Sequence, residues 1–375
     1  MATAKNSGNG DKREEAKPEI PGSLRGKPRD ADDDTDADLV SLSSVELAEA
    51  LADLDIGEQV RNIDDVNTPT VVETFSAKLE GETSSPLLYD VLLTSSGNYA
   101  IVTDCWNHCV KAFDLRAEGC PCRCVYSVKE HCPLCITRLS NPERVAFTLH
   151  HRAEIYVLNV REDVGEGSED VLTFHSSLNV RCKYRGITTL APITSSSGAE
   201  AASSESHSDR LAVTAPKEIH ILSLDGEVLQ VIAPALCGLP LLNDAIYLTT
   251  TPSHDLVVSD VGSRRVVCVK PSGRLRWFHP SLELPSAKDD PDEDTANGDS
   301  FQGIQWPLGV ATDEAGRVLV CDLELHSVVL LSPGGAASRL LLTETESLEY
   351  PRGLHVNNGR LCLTQDDSVK VFSYV

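Results

Sequence analysis

The chain has 375 residues, with 33 Lys and Arg against 57 Asp and Glu, giving a formal net charge of −24. An acidic balance of this size sets RNA binding below protein binding, because phosphate recognition needs a positive surface. No apolar stretch approaches the ~18 residues required to cross a bilayer, and the opening run MATAKNSGNGDKREE lacks the apolar core of a signal peptide. A soluble, intracellular, cytoplasmic protein without a membrane partner is expected.

Residues 1–38 are polar, acidic and dotted with Pro and Gly (RDADDDTDAD), too poor in apolar side chains to offset ordering, and are expected to be a disordered tail. Over 39–65, Ser43-Ser44-Val45-Glu46 offers a capping box, and Val45, Ala48, Leu51 and Leu54 share one helical face. One short amphipathic helix or linker is predicted there.

From residue 66 to 375 a unit recurs six times: a turn residue, an apolar run closed by Asp or a small polar residue, then a second apolar run. YDVLLTSSGNYAIVTDCWNHCVKAFD and YPRGLHVNNGRLCLTQDDSVKVFSYV are two copies. Four short apolar runs per unit, without helical periodicity, predict an all-β six-bladed propeller. In the fifth unit the strands are placed at 309–313, 317–322, 327–332 and 338–342. The sixth unit ends at its third strand, and Thr70–Leu79 (TVVETFSAKL) has the composition to supply the fourth and close the ring. Inserts are expected at 193–208 and 281–304, the second strongly acidic.

The combination of P-x-G, an apolar strand ending in Asp, a polar turn and V-x-V-F or V-V-L-L resembles the NHL repeat, best over Trp306–Leu331 and Tyr350–Phe372. The resemblance implies a propeller used as a recognition platform, as at the C-terminal end of tripartite-motif ubiquitin ligases. This chain shows no RING or B-box pattern, so the expectation is a non-enzymatic protein-interaction platform, a substrate-recruiting or scaffold module. Two alternatives stand beside it: RNA binding around Arg264, Arg265, Arg274 and Arg276, and a metal-dependent hydrolase or lyase using Asp90, Asn243 and Asp244 at the channel.

Asp104, Asp260, Asp322 and Asp366 share one repeat position, with Thr148 and Ala215 in the weaker second and third copies. Carboxylates at strand ends accept from turn amides and are read as structural. If strands alternate in direction, the turns between second and third strands share one end of the ring with the connections between blades. That end is the expected face for a protein or peptide partner, carrying Tyr89, Trp106, His108, His150, His151, Arg152, Arg185, Asn243, Asp244, Arg264, Trp306, Arg352 and Asp366. No motif specifies the partner or an oligomeric state.

Of twelve cysteines, Cys268, Cys321 and Cys362 fall in apolar runs and read as buried small hydrophobes. Seven crowd into the first unit. Cys105, Cys109, Cys132 and Cys135 are candidate zinc ligands, with Cys122 and Cys124 as an alternative pair. Without zinc they are reduced thiols open to oxidation. No other cofactor is expected.

Overall fold

The computed structural model describes residues 63, 66–162, 171–190, 209–280 and 303–374. The acidic tail, nearly all of the helix expected over 39–65, and the bulk of both inserts lie outside these residues. A first strand, β1 (Thr70–Ser76), precedes blade one: β2 (Leu88–Leu93), β3 (Tyr99–Asp104), β4 (Cys109–Asp114) and β5 (Cys122–Ser127). Blade two is β6 (Pro133–Arg138), β7 (Arg144–Leu149), β8 (Glu154–Val160) and β9 (Leu172–Asn179). Blade three is β10 (Ile187–Leu190), β11 (Arg210–Ala215), β12 (Glu218–Ser223) and β13 (Val228–Ile232), followed by a small ribbon of β14 (Ala235–Leu236) and β15 (Leu239–Pro240). Blade four is β16 (Ala245–Thr250), β17 (Leu256–Asp260), β18 (Arg265–Val269) and β19 (Leu275–His279). Blade five is β20 (Pro307–Thr312), β21 (Val318–Asp322), β22 (Ser327–Leu331) and β23 (Ser338–Leu342), and blade six is β24 (Pro351–Asn357), β25 (Arg360–Gln365) and β26 (Ser368–Ser373).

Every blade is a four-stranded antiparallel sheet, and the innermost strands β2, β6, β10, β16, β20 and β24 meet in succession around a channel, β24 returning to β2. The chain is a six-bladed β-propeller. Blade six is completed by β1, antiparallel to β26 from Thr70 opposite Ser373 to Ser76 opposite Ser368. The strand before the first repeat therefore shuts the ring, as the sequence indicates.

Each sheet is covered on both faces by neighbouring blades, which is why the middle strands read as unbroken apolar runs rather than alternating ones. YAIVTD of β3 and VLVCD of β21 are buried at every position. The outer strands face solvent on one side and alternate: CRCVYS of β5 and LTFHSSLN of β9 mix buried and exposed positions.

Register corrects three equivalences read from the sequence. Leu88 pairs with Asp104, Pro307 with Asp322 and Pro351 with Gln365, so blade six carries Gln365 at the strand end and the exposed Asp366 lies one residue beyond. Pro133 pairs with Leu149, so blade two places Leu149 there rather than Thr148. In blade four Leu248 opposes Val258 as Val91 opposes Val102 in blade one, making Tyr247 the counterpart of Asp90 and displacing Asn243 and Asp244 into the preceding loop. A bulge near the start of the inner strand recurs in blades one, four and five, so the equivalence is fixed by strand register rather than by spacing in the sequence.

Candidate recognition face and channel mouth

The end carrying the second-to-third-strand turns and the blade connections is called the upper end. Its turns are held as the sequence suggests. Asp322 accepts from the backbone N–H groups of Gln305 (2.6 Å), Trp306 (3.2 Å), Glu324 (3.1 Å) and Leu325 (3.1 Å). Asp260 accepts from Asn243 and Asp244, both 2.8 Å, and from Ser263. Gln365 substitutes an amide oxygen, taking the Glu349 N–H at 3.3 Å. Asp104 accepts from Leu87 and Asn107, and also from the buried ammonium of Lys111 at 2.7 Å.

One residue before that position lies a second set of groups, from which the sequence reading took Thr148 as the counterpart of Asp104. Thr103 Oγ1 donates to the Leu134 carbonyl (2.7 Å) of the next blade while accepting from Asp90 N–H (2.9 Å), and Thr214 does the same between Gly186 and Ile246. Thr148 belongs here, donating to the Arg185 carbonyl. These hydroxyls couple blades one, two and three to their successors, whereas Ser259 and Thr364 bond within their own blades.

Two residues at the start of each inner strand, at a bulge in five blades and just before β10 in blade three, form the channel mouth. The first position is Tyr89, Leu134, Arg185, Ile246, Leu308 and Arg352 in blades one to six; the second is Asp90, Cys135, Gly186, Tyr247, Gly309 and Gly353. Glycine is required where neighbouring strands close in: a Cβ on Gly309 would sit 2.3 Å from the Arg352 carbonyl oxygen, and one on Gly353 2.5 Å from Asp90 Cα. Where glycine is absent the side chains enter the channel. Tyr89 and Tyr247, from opposite blades, stack with ring centroids 5.3 Å apart and planes at 12°, and Tyr247 OH donates to the Tyr89 carbonyl at 2.5 Å. Beneath this aromatic plug is a cavity of about 250 Å³ lined by the inner strands of all six blades. Asp90 faces it, its carboxylate accepting from Ile136 (3.0 Å) and Val91 (2.9 Å) N–H groups. Burial outweighs those amides and pushes the Asp90 pKa up to about 7. Asn243 and Asp244 do not join Asp90 in the channel: Asp244 Oδ1 instead pairs with Arg185 Nη1 at 2.7 Å.

The residues expected on the upper face divide by burial. Tyr89, Trp306 and Arg352 are buried, Tyr89 in the plug and Trp306 in the core, and so are not surface anchors as the sequence suggested. Bulge geometry turns such positions inward, which strand alternation alone does not reveal. Trp106, His108, His150, Arg185, Asn243 and Asp244 are half-buried, and His151, Arg152, Arg264 and Asp366 are exposed. The basic group considered for RNA is dispersed: Arg264 and Arg265 precede and begin β18, whereas Arg274 and Arg276 flank its other end. Arg265 is buried, its guanidinium 5.8 Å from the Phe278 ring centre, and Arg276 pairs with Asp255 at 3.0 Å.

A different basic group forms between blades two and three. A pocket of about 120 Å³ is lined by His150, His151, Lys183, Tyr184 and Arg185 with Leu134, Thr214 and Pro216. The His150 and His151 rings lie 3.6 Å apart, and Arg152 Nη2 meets His131 Nε2 at 3.0 Å. Burial, then the charges of His151, Arg185 and Lys183, drive the His150 pKa down to about 4. Lys183 was missed in the sequence, although RCKYR at 181–185 shows three cations in five residues. Arg352, at the same mouth, leaves its buried Nε without a hydrogen-bond partner among the described residues.

The candidate zinc ligands do not converge. Cys135 Sγ faces the channel toward the Ile246 carbonyl at 4.0 Å, and Cys122 and Cys124 lie in different packing clusters, toward blades six and two. Among the described residues the group of three donors close enough to share an ion is Glu82, Asp104 and Cys109. Lys111 Nζ is placed there instead, 2.7 Å from Glu82 and from Asp104 and 2.8 Å from the Ala77 carbonyl.

No family model matches the chain. Part of it is similar to the E3 ubiquitin-protein ligase TRIM56 of Mus musculus, 25% identical over 152 residues, or 40% of this chain and 18% of that protein. The chain thus spans less than a fifth of the curated relative's length. Among solved structures, a streptogramin B lyase is similar at TM-score 0.51 and 11% identity, over 81% of this chain and 98% of that one. The β-propeller domain of Cps50 (Swd1) from Myceliophteria thermophila gives TM-score 0.49 at 11% identity, over 82% and 100%. Likeness at this identity shows the fold alone, and a propeller fold does not decide catalysis. No described helix is long and apolar enough to cross a membrane.

Proposed function

We propose that the chain is an NHL-type interaction platform whose upper channel mouth binds an acidic segment of a protein partner, recruiting that partner in a ubiquitin-linked pathway. The observation that carries this reading is charge placement. In a chain of net charge −24, His151, Lys183 and Arg185 line one pocket at the mouth, and the exposed Arg152 follows His151 in the chain. A carboxylate is the group such a set recognises, and Arg supplies a directional fork for it. Peptide is favoured over single-stranded RNA because this patch presents no exposed aromatic platform for bases: Tyr184 is buried with its hydroxyl on His220 at 2.7 Å. The likeness to TRIM56 supports the ubiquitin connection.

Fluorescence titration of the full chain with Glu-rich, Lys-rich and neutral peptides, and with a single-stranded RNA, tests the reading. The Glu-rich peptide is expected to bind, with affinity falling about tenfold or more in Lys183→Glu and in Arg152→Glu. Binding of RNA in preference to the acidic peptide, or acidic-peptide affinity unchanged in both variants, would overturn it.

A further inference from the structure

Of the four candidate zinc ligands grouped in the sequence, Cys105 and Cys132 lie near each other, with His108 beside them. Cys132, in the connection between blades one and two, is half-buried, and its Sγ lies 3.7 Å from His108 Nδ1 in the turn between β3 and β4. Cys105, fully buried in that same turn, belongs to the core cluster against which Cys132 packs, and the two thiols are electrostatic neighbours. All three are held by the backbone: Cys105 N–H donates to the Leu87 carbonyl (2.9 Å), Val128 N–H to the His108 carbonyl (2.8 Å) and His150 N–H to the Cys132 carbonyl (2.8 Å). His108 adopts a left-handed conformation, φ 50°, to complete its turn.

We infer that Cys132 is a nucleophilic thiol activated by His108, and that Cys105 is its resolving partner, so that hydroperoxides convert the pair to a disulfide at the upper face. A thiolate is the reactive form of cysteine, and a neighbouring imidazole stabilises it. The electrostatics of the site agree. The Cys105 thiol and then His108 lower the Cys132 pKa from its ordinary value, against burial and the Asp104 charge. Cys105 moves in the opposite direction, held as the thiol. Among the described cysteines with a shift, Cys132 alone is lowered: Cys109 is pushed up to about 12 and Cys122 to about 11 by burial. Among the described residues, Cys105, His108 and Cys132 do not appear as three donors within 4.8 Å of one another.

The chemistry balances with hydrogen peroxide as oxidant. The Cys132 thiolate attacks one peroxide oxygen, the O–O bond breaks, hydroxide leaves and is protonated to water, and the sulfur becomes a sulfenic acid. The Cys105 thiol then attacks that sulfur, the S–O bond breaks, and water departs with the thiol proton as the disulfide forms. Sulfur is oxidised by two electrons and peroxide is reduced by two.

Treating the full reduced chain with hydrogen peroxide, then alkylating and mapping peptides without reduction, tests the inference. A Cys105–Cys132 crosslink is expected, with Cys132 lost at least about tenfold faster than Cys237, an exposed cysteine of the same chain. Cys105→Ser is expected to accumulate a sulfenic acid at Cys132 that dimedone traps, and His108→Gln to slow Cys132 oxidation about tenfold. Oxidation of Cys237 as fast as Cys132, a crosslink from Cys132 to a different cysteine, or zinc retained by the purified chain and released when Cys132 is alkylated would overturn it. The wild-type map decides the matter even if either variant fails to fold.

Discussion

Blade one and blade five are built on the same repeat and differ at three equivalent positions. Where blade one has Tyr89, Asp90 and Lys111, blade five has Leu308, Gly309 and Val329. In blade five the conserved geometry is satisfied by backbone alone: Asp322 collects amide hydrogens, Gly309 makes room for the neighbouring strand, and Val329 fills the space between blades. Blade one keeps the same frame but fills it with ionisable groups, among them a fully buried ammonium clamped by Asp104 and Glu82. Burial pulls the Lys111 pKa down, yet the two carboxylates raise it above its ordinary value. The frame is therefore sufficient for folding without these groups, and blade one is where polar function has been added to it.

The largest effect that would break this comparison comes from Lys111. Lys111→Ala leaves two carboxylates facing each other around an emptied buried site, and should cost about 3–5 kcal/mol. Val329→Ala at the matching position should cost about 2 kcal/mol. Urea denaturation of both variants reads the difference, and equal losses would show that the ionic cluster adds nothing to the frame.

Asp90 gives the next effect, through pH. Its folded-state pKa of about 7 lies above the ordinary 3.8, so the folded protein keeps the proton longer than the unfolded chain does. The stability contributed is complete below about 4, falls by up to about 1.4 kcal/mol per pH unit as pH rises toward 7, and is level beyond. Asp90→Asn should flatten this slope in denaturation measured from pH 4 to 8. A residual slope is expected from Asp260, which burial raises to about 6, and from Asp322, raised by the same cause.

The smallest effect concerns the plug. Tyr247→Phe retains the stack on Tyr89 and removes one hydrogen bond, with an expected loss of about 1 kcal/mol by thermal or urea unfolding. A much larger loss would mean that the hydroxyl, rather than the stack, holds the mouth together.

The ring was legible in the sequence because blades cover one another: two-sided burial forces unbroken apolar runs such as VLVCD, and the repeat of those runs counts the blades. The closing strand was legible because a missing fourth run demands one elsewhere. The mouth was not. Register puts Tyr247 in the place of Asp90, which composition does not mark, and the amide of Gln365 can do the work of a carboxylate, so matching Asp to Asp selected Asp366. Cysteine spacing misled for a related reason. Residues 105–135 run from one strand turn out to the rim and back, so closeness in sequence separates Cys109 and Cys135 while bringing Cys132 to Cys105 and His108. The partners that matter, Lys183 from blade three's entry and Glu82 from the loop after β1, are distant in sequence and carry no motif.

The pairing of β1 with β26 has a consequence during synthesis. Thr70 leaves the ribosome about 300 residues before Ser373, which at about 5–20 residues per second is a wait of roughly 15–60 s. Throughout that interval β1 has no strand to pair with, and its exposed Val71 and Val72 sit on an open edge able to recruit another nascent chain. The same pairing that protects the finished ring leaves its first strand in need of shelter until the last strand arrives.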